Sequence, residues 1–139
     1  MNLKNYRFNR KDGIIYLESE GSLQNLGSSL QMIVLSATNP TWEQPFPNAQ
    51  FQYWVRLTFV DVSGALSNAL LNNGTTNALD GWLKYKTDVE QKYQLCGVIT
   101  TISLIEGDGD YFDYSFSGIP GKPGLGDRMR SLIASLQVS

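Results

Sequence analysis

The strongest constraint on the fold is the segment Phe51–Asp61, in which apolar and polar side chains alternate with a period of two. Successive side chains of a β-strand point to opposite faces, so this pattern is typical of a strand with one face on a core. We expect the odd positions to face the interior: Phe51, Tyr53, Val55, Leu57 and Phe59. The even positions form a less apolar face that we expect to meet solvent: Gln52, Trp54, Arg56 and Thr58.

Four other segments also have the composition of strands. Each is short, rich in β-branched, aromatic or Leu residues, and bounded by polar or turn-forming residues. With Phe51–Asp61 they make five predicted strands, the others being residues 30–37, 65–71, 94–105 and 111–119. Residues 38–50 contain three prolines, which remove backbone donors, so an extended loop is expected there.

Helical periodicity is found in two places. Apolar side chains at Leu79, Trp82, Leu83 and Val89 share one helical face with the stem of Lys86, which predicts a helix between the third and fourth strands. Residues 126–138 predict a short C-terminal helix, whose apolar positions recur at i, i+3, i+4 and i+7: Met129, Leu132, Ile133 and Leu136. At the other end of the chain, residues 1–20 predict a hairpin that turns at Asp12-Gly13.

The residue inventory argues against catalysis. The chain has no histidine and one cysteine, so it lacks the usual base at neutral pH, the commonest transition-metal ligand and any disulfide of its own. Cys96 lies in an apolar run and is interpreted as a buried structural thiol. We therefore expect a protein that is not an enzyme.

Two glycine-containing turns were weighed as ligand sites. Glu106–Asp113 alternates carboxylates but lacks the Gly and distal Glu positions of a calcium loop, so a solvated turn is expected. Gly118–Pro123 lacks the spacing and the Ser or Thr of a phosphate-binding loop. The sequence therefore predicts no metal and no cofactor.

Charge and hydropathy indicate which partners and which cellular compartment to expect for the protein. The formal net charge is −2, so no global basic field attracts nucleic acid or anionic membranes. The N-terminal residues carry charges where a signal peptide has an apolar stretch, and no apolar run has membrane-spanning length. We expect a single domain, residues 1–139, in the cytoplasm and without a membrane partner.

The order of these elements resembles that of the OB-fold, a five-stranded barrel, and residues 30–119 carry the resemblance. It implies a mostly β protein: a five-stranded OB-like barrel with a helix between strands 3 and 4, an N-terminal hairpin and a short C-terminal helix. It also implies similarity to OB-fold single-stranded nucleic-acid-binding proteins, in which strands two and three form a groove with exposed aromatic side chains. A different small β-barrel or an α+β roll is the alternative.

Aromatic and cationic side chains are the candidates for such a groove. Trp54 and Arg56 share the less apolar face of the central strand, and Trp42 and Phe46 lie in the loop before it. The hairpin adds a basic cluster that could complement a phosphate backbone: Lys4, Arg7, Arg10 and Lys11. The nucleic-acid-binding residues are therefore predicted to be Trp42, Phe46, Trp54, Arg56, Arg7, Arg10 and Lys11.

Two functional hypotheses follow from these residues. The leading one is a non-catalytic protein that binds single-stranded DNA by aromatic stacking and by Arg and Lys contacts. The alternative is an oligomeric structural or protein-interaction module of phage or plasmid type, because exposed aromatic side chains also mark protein interfaces. In that case the same aromatic side chains are buried between subunits. A further alternative is that the N-terminal hairpin covers Trp54, while Trp42 and Phe46 fold back to cap the barrel.

Overall fold

The computed structural model describes residues 3–107 and 109–138, with side chains as far as Leu136. The chain is mostly β, with 46% strand and 20% helix, as the sequence predicts. The strands are β1 (Lys4–Asn9), β2 (Ile14–Ser19), β3 (Ser22–Asn25), β4 (Ser29–Ala37), β5 (Thr41–Glu43), β6 (Gln52–Asp61), β7 (Leu66–Asn72), β8 (Val98–Ile105) and β9 (Asp113–Pro120). The helices are α1 (Leu79–Glu90) and α2 (Leu125–Val138), and a short 3₁₀ helix spans Leu95–Gly97.

The nine strands form one curled, open sheet that is shaped as a half-barrel. The strand order is β3-β2-β1-β7-β6-β4-β8-β9, and β5 pairs with the first residues of β6. The predicted five-stranded OB-like barrel is therefore wrong in its strand number and closure. The hairpin β1–β2 is no appendage, because β1 pairs in parallel with β7 and so extends the sheet, while the other neighbours pair antiparallel.

Two of the strands have no signal in the sequence. All four residues of β3 are exposed and only Leu23 is apolar, and the strand follows a tight turn in which Glu20 and Gly21 both have positive φ. β5 occupies the three residues Thr41–Glu43 inside the proline-containing segment that was predicted to be a loop. Both strands are recruited by a longer neighbour, since β2 pairs with β3 and β6 pairs with β5.

The register of β6 agrees with the prediction only in its second half. The predicted interior positions that are fully buried are Val55, Leu57 and Phe59. Phe51 and Tyr53 were also predicted to face the interior, but they are 60% and 47% exposed. The reason is that β7 ends at Asn72, opposite Trp54, so the start of β6 extends past the core.

Both helices lie where the periodicity predicts them. Trp82 of α1 is fully buried, and its ring lies 5.6 Å from that of Phe116, between centroids. α2 packs on the 3₁₀ helix, where an added Cβ at Gly97 would lie 3.5 Å from the Cα of Gly126. In the described part of the chain, no helix is long and apolar enough to cross a membrane.

Asp61 joins the β6–β7 turn to β1. One of its carboxylate oxygens accepts hydrogen bonds from the Tyr6 hydroxyl at 2.6 Å and from the Lys4 ammonium at 3.2 Å. The other accepts from the N–H and hydroxyl of Ser63 and from the N–H of Ala65, at 2.6–2.9 Å. The carboxylate is buried and both of its oxygens accept hydrogen bonds, so it stabilises the position of β1 beside β7.

These contacts change the ionisation of both acidic groups. Burial opposes the ionisation of Asp61, but the hydrogen bonds from Ser63, Tyr6, Ala65 and Lys4 outweigh it and hold the pKa of the carboxyl well below its usual range. Burial first, and then the hydrogen bond to Asp61 and its charge, raise the pKa of the Tyr6 hydroxyl above its ordinary value. The pair therefore stays as an anion and a neutral phenol at neutral pH.

We expect Asp61→Ala to lower the free energy of unfolding by about 3 kcal/mol, because it leaves several buried donors without an acceptor. Urea denaturation followed by circular dichroism measures this difference. The control is Asp88→Ala, whose exposed carboxylate pairs with Lys84 and should cost less than about 0.5 kcal/mol. Equal losses for the two variants would contradict the structural role of Asp61.

The contribution of Asp61 should depend on pH with a definite sign. A carboxyl whose pKa is lowered by folding stabilises the protein above its unfolded-state pKa, about 4, and loses that effect as the pH falls toward the folded pKa. The difference in unfolding free energy between the wild type and Asp61→Ala should therefore be constant near neutral pH and narrow below about pH 4. A difference that widens on acidification would disprove the assignment.

Candidate aromatic interaction surface

The first residues of β6 and all of β5 form a two-stranded ribbon that carries exposed aromatic rings. Trp42 is paired with Tyr53 across the ribbon, and their ring centroids lie 5.2 Å apart in an edge-to-face arrangement. Trp42 is 59% exposed and Tyr53 is 47% exposed. Phe51, which is 60% exposed, lies immediately before the ribbon and two residues before Tyr53. We call these three side chains, Trp42, Phe51 and Tyr53, the aromatic tip.

Trp54 points to the opposite face of the ribbon and is not free to bind. It is only 9% exposed, because Phe46, from the loop between β5 and β6, covers it. The two ring centroids lie 6.2 Å apart. The predicted solvent exposure of Trp54 is therefore wrong. Phe46 folds back, as one alternative has it, but the ring that covers Trp54 is that of Phe46 and not a side chain of the N-terminal hairpin. The indole Nε1 of Trp54 is buried without a hydrogen-bond acceptor among the described residues. Phe46 itself remains 47% exposed.

Arg56 lies on the same face as Trp54, but its charge is neutralised. Its guanidinium forms an ion pair with Glu43 of β5, and its backbone N–H donates to the hydroxyl of Thr38 at 3.0 Å. Glu43 is paired with Gln52 across the ribbon, and its carboxylate contacts the guanidinium that a phosphate would have to reach. This pairing ties the proline-containing segment to β6 and weakens any contact of Arg56 with an anion.

The basic residues of the hairpin do not act together. Arg7 is exposed and forms an ion pair with Glu18 on β2, whereas Lys11 is exposed in the β1–β2 turn. Arg10 is buried, with 4% of its side chain exposed, so it cannot serve as the surface contact that was predicted. Burial of this guanidinium is possible because it donates hydrogen bonds to four acceptors.

Arg10 binds four acceptors from three parts of the chain. It donates to the carbonyl of Phe112 at 2.7 Å, to the hydroxyl of Thr76 at 2.9 Å and to two side-chain oxygens: Asp113 Oδ1 at 3.2 Å and Asn72 Oδ1 at 3.3 Å. Its guanidinium carbon also lies 5.2 Å from the centre of the Tyr114 ring. Burial raises the pKa of that Tyr114 hydroxyl to about 12, although the Asn72 N–H and the Arg10 charge oppose the shift. Arg10 is a structural residue.

The described residues offer no site for a metal. Outside Asp108, which is not among them, no group of three Cys, Asp or Glu side chains comes together. Asp113, from the acidic turn, is used by Arg10 and by the Thr76 hydroxyl at 3.1 Å. Cys96 is buried, as predicted, in the 3₁₀ helix.

Sequence reasoning found Trp42 and Phe46 but assigned Phe51 and Tyr53 to the core. The alternation of β6 continues through both residues, so the pattern itself contains no sign of the point where the core ends. A weak signal was available: the neighbouring segment that ends at Leu71 is shorter than Phe51–Asp61, so one end of the longer strand had to extend past it.

The three tryptophans should differ sharply in their access to solvent. Trp42 is the exposed one, whereas Trp54 and Trp82 are buried. At low protein concentration we expect Trp42→Phe to remove the acrylamide-quenched part of the emission, leaving a shorter-wavelength spectrum that resists quenching. Trp54→Phe should leave the quenched part in place. If Trp54→Phe removes it instead, the assignment of the covered and exposed rings is incorrect.

Comparisons with known proteins do not add to this geometry. A scan against protein-family models, a search of curated proteins and a search of solved structures each gave no match. The function of the chain must therefore be inferred from its own side chains, of which the aromatic tip brings three exposed aromatic rings together at one end of the sheet.

Proposed function

We propose that the chain is a non-catalytic interaction module that assembles with a second copy of itself through the aromatic tip. One observation carries this proposal. Trp42, Phe51 and Tyr53 lie at one end of the sheet and are about half exposed or more. Aromatic side chains bury a large apolar area at a low cost in conformational entropy, and they are enriched at the centres of protein interfaces.

The charges around the tip favour a protein surface over a polyanion. The nearest predicted cation, Arg56, is already paired with Glu43. A strand of nucleic acid would gain little counterion release here, since no free cation of the ribbon faces its phosphates. The pairing of Arg56 with Glu43 does not weaken contacts between the apolar rings of two copies. The low net charge of −2 also allows two copies to approach each other.

Binding of single-stranded DNA is the second candidate function, but fewer residues support it than the sequence predicts. The rings of Trp42 and Phe46 are still available for stacking on bases. Trp54 and Arg10 are buried, and Arg56 and Arg7 are paired with carboxylates, so most of the predicted contacts are weakened. The two candidates differ in whether the aromatic rings respond to protein concentration or to an oligonucleotide.

Sedimentation velocity over a range of protein concentrations tests self-association. The wild type should form a dimer or larger oligomer, and Trp42→Ala with Tyr53→Ala should raise its dissociation constant at least about tenfold, as expected for the loss of interface aromatic residues. Tyr111→Ala is the matched control. Tyr111 is 50% exposed, close to the 47% of Tyr53, but lies in the turn before β9.

Two results would contradict self-association through the tip. One is a wild type that remains monomeric at millimolar concentration. The other is an oligomer that Tyr111→Ala weakens as much as the Trp42 and Tyr53 substitutions do. A parallel titration with oligo-dT, read by tryptophan fluorescence, separates the second candidate. Quenching of a monomeric protein that disappears in Trp42→Ala would replace self-association with DNA binding.

A further inference from the structure

Most of the basic side chains in the protein are neutralised by a neighbouring carboxylate. Of the eleven Lys and Arg residues, seven form an ion pair with a carboxylate that the structure describes. The four cations outside these pairs are Lys11, Lys92, Lys122 and Arg128. Lys11 lies alone in the β1–β2 turn, but the other three come from separate segments that meet at one place.

That place is an open cavity of about 560 Å³ between the end of α1, the end of β9 and the start of α2. Lys92 lines it from the segment after α1, and Lys122 lines it from the loop that joins β9 to α2. Arg128 reaches the same loop from α2, where one of its guanidinium nitrogens would lie 3.3 Å from a Cβ added at Gly124. Two lysines therefore line the cavity, and the Arg128 guanidinium lies beside Gly124, which also lines it.

The carboxylates near the cavity are already compensated. Glu90 lines it, but its oxygen accepts from the Lys86 ammonium at 2.7 Å. Asp127, in the first turn of α2, is paired with Arg130 at 2.5 Å. Among the carboxylates that the structure describes, none is paired with Lys92, Lys122 or Arg128, so these cations give the cavity an excess of positive charge on a protein whose net charge is −2.

An aromatic ring connects this positive cavity to an apolar one. Tyr93 is 49% exposed and lines the larger cavity, and it also lines a neighbouring cavity of about 290 Å³. The smaller cavity is bordered mainly by Tyr85, Val89, Val98 and Pro120. Asp88 also lines it, and its carboxylate is paired with Lys84 at 3.6 Å. A ligand that spans both cavities would place an anion beside the cations and a flat or apolar body against the Tyr93 ring.

We propose that this double cavity binds a nucleotide. Its phosphate would lie between Lys92, Lys122 and Arg128, and its base would stack on Tyr93. A phosphate carries up to two negative charges on three terminal oxygens, so it can engage two or three cations at once. A base stacks on an exposed aromatic ring, as nucleic-acid bases do in single-strand-binding proteins. The nucleotide is either free or one unit of a single strand.

This site is independent of the aromatic tip, so the two proposals can fail separately. The tip belongs to β5, β6 and the residue before β6, whereas the cavity is built from α1, β9, α2 and the segments beside them. Lys92, Tyr93 and Lys122 are exposed, so substitutions there should leave the fold intact. Thermal unfolding of each variant confirms that it is folded before binding is measured.

Isothermal titration calorimetry at low salt tests the site with four probes: dTMP, thymidine, inorganic phosphate and a short oligo-dT. We expect dTMP to bind and thymidine to bind much more weakly. Lys92→Gln with Lys122→Gln should weaken dTMP binding at least about tenfold, through the loss of charge-assisted contacts. Lys11→Gln is the matched control, because it removes an unpaired lysine far from the cavity, and it should leave binding unchanged.

The remaining arms separate the parts of the proposal. Tyr93→Leu should weaken dTMP but not inorganic phosphate, since only the nucleotide has a base to stack. Tighter binding of oligo-dT than of dTMP identifies a single strand as the source of the nucleotide, and equal binding identifies a free nucleotide. The proposal is overturned if neither dTMP nor oligo-dT binds. It is also overturned if Lys11→Gln weakens binding as much as the cavity variant does, or if thymidine binds as well as dTMP.

Discussion

A buried guanidinium is the contact on which the curled shape of the sheet depends. Arg10 follows β1, and its partners are the residue that ends β7, the loop before α1 and the start of β9. Two further contacts hold the turn of the β1–β2 hairpin near β9: the backbone bond from the Phe112 N–H to the Arg10 carbonyl, at 2.7 Å, and the close approach of the Phe112 ring to Gly13. The surroundings of Arg10 are shaped to receive it: Gly74 has φ +61°, and a Cβ there would lie 2.6 Å from the guanidinium.

The part of the fold that local patterns encode could be predicted, and the part that distant contacts decide could not. Val55, Leu57 and Phe59 are buried because alternation reports which face of a strand meets a core. Both helices likewise follow from periodicity. The role of Arg10 has no local signal, since its side-chain partners lie between 62 and 103 residues away in the chain. A basic residue in a hairpin is more often solvated, which is why it was assigned to the surface.

The same distinction explains the candidate site. Trp54 is expected in solvent because its strand position is on the less apolar face, but the ring of Phe46, between Pro45 and Pro47, covers that face. Tyr53 was assigned to the core because alternation does not show where the neighbouring strand ends. Exposure at this end of the sheet is decided by relative strand lengths and by one loop. The alternation of apolar and polar residues predicts neither the relative strand lengths nor the position of the loop.

The parallel pairing of β1 with β7 has a consequence for the way the chain reaches its native state. The hairpin β1–β2 can form from neighbouring residues alone, but its place in the sheet is defined by β7 and by Asp61, 55 residues after Tyr6. Contacts of such separation carry a large loop-closure cost, and folds that depend on them fold slowly. During synthesis the hairpin therefore stays undocked, with the apolar side chains of Phe8, Ile15 and Leu17 uncovered, until the strands that it packs against have left the ribosome.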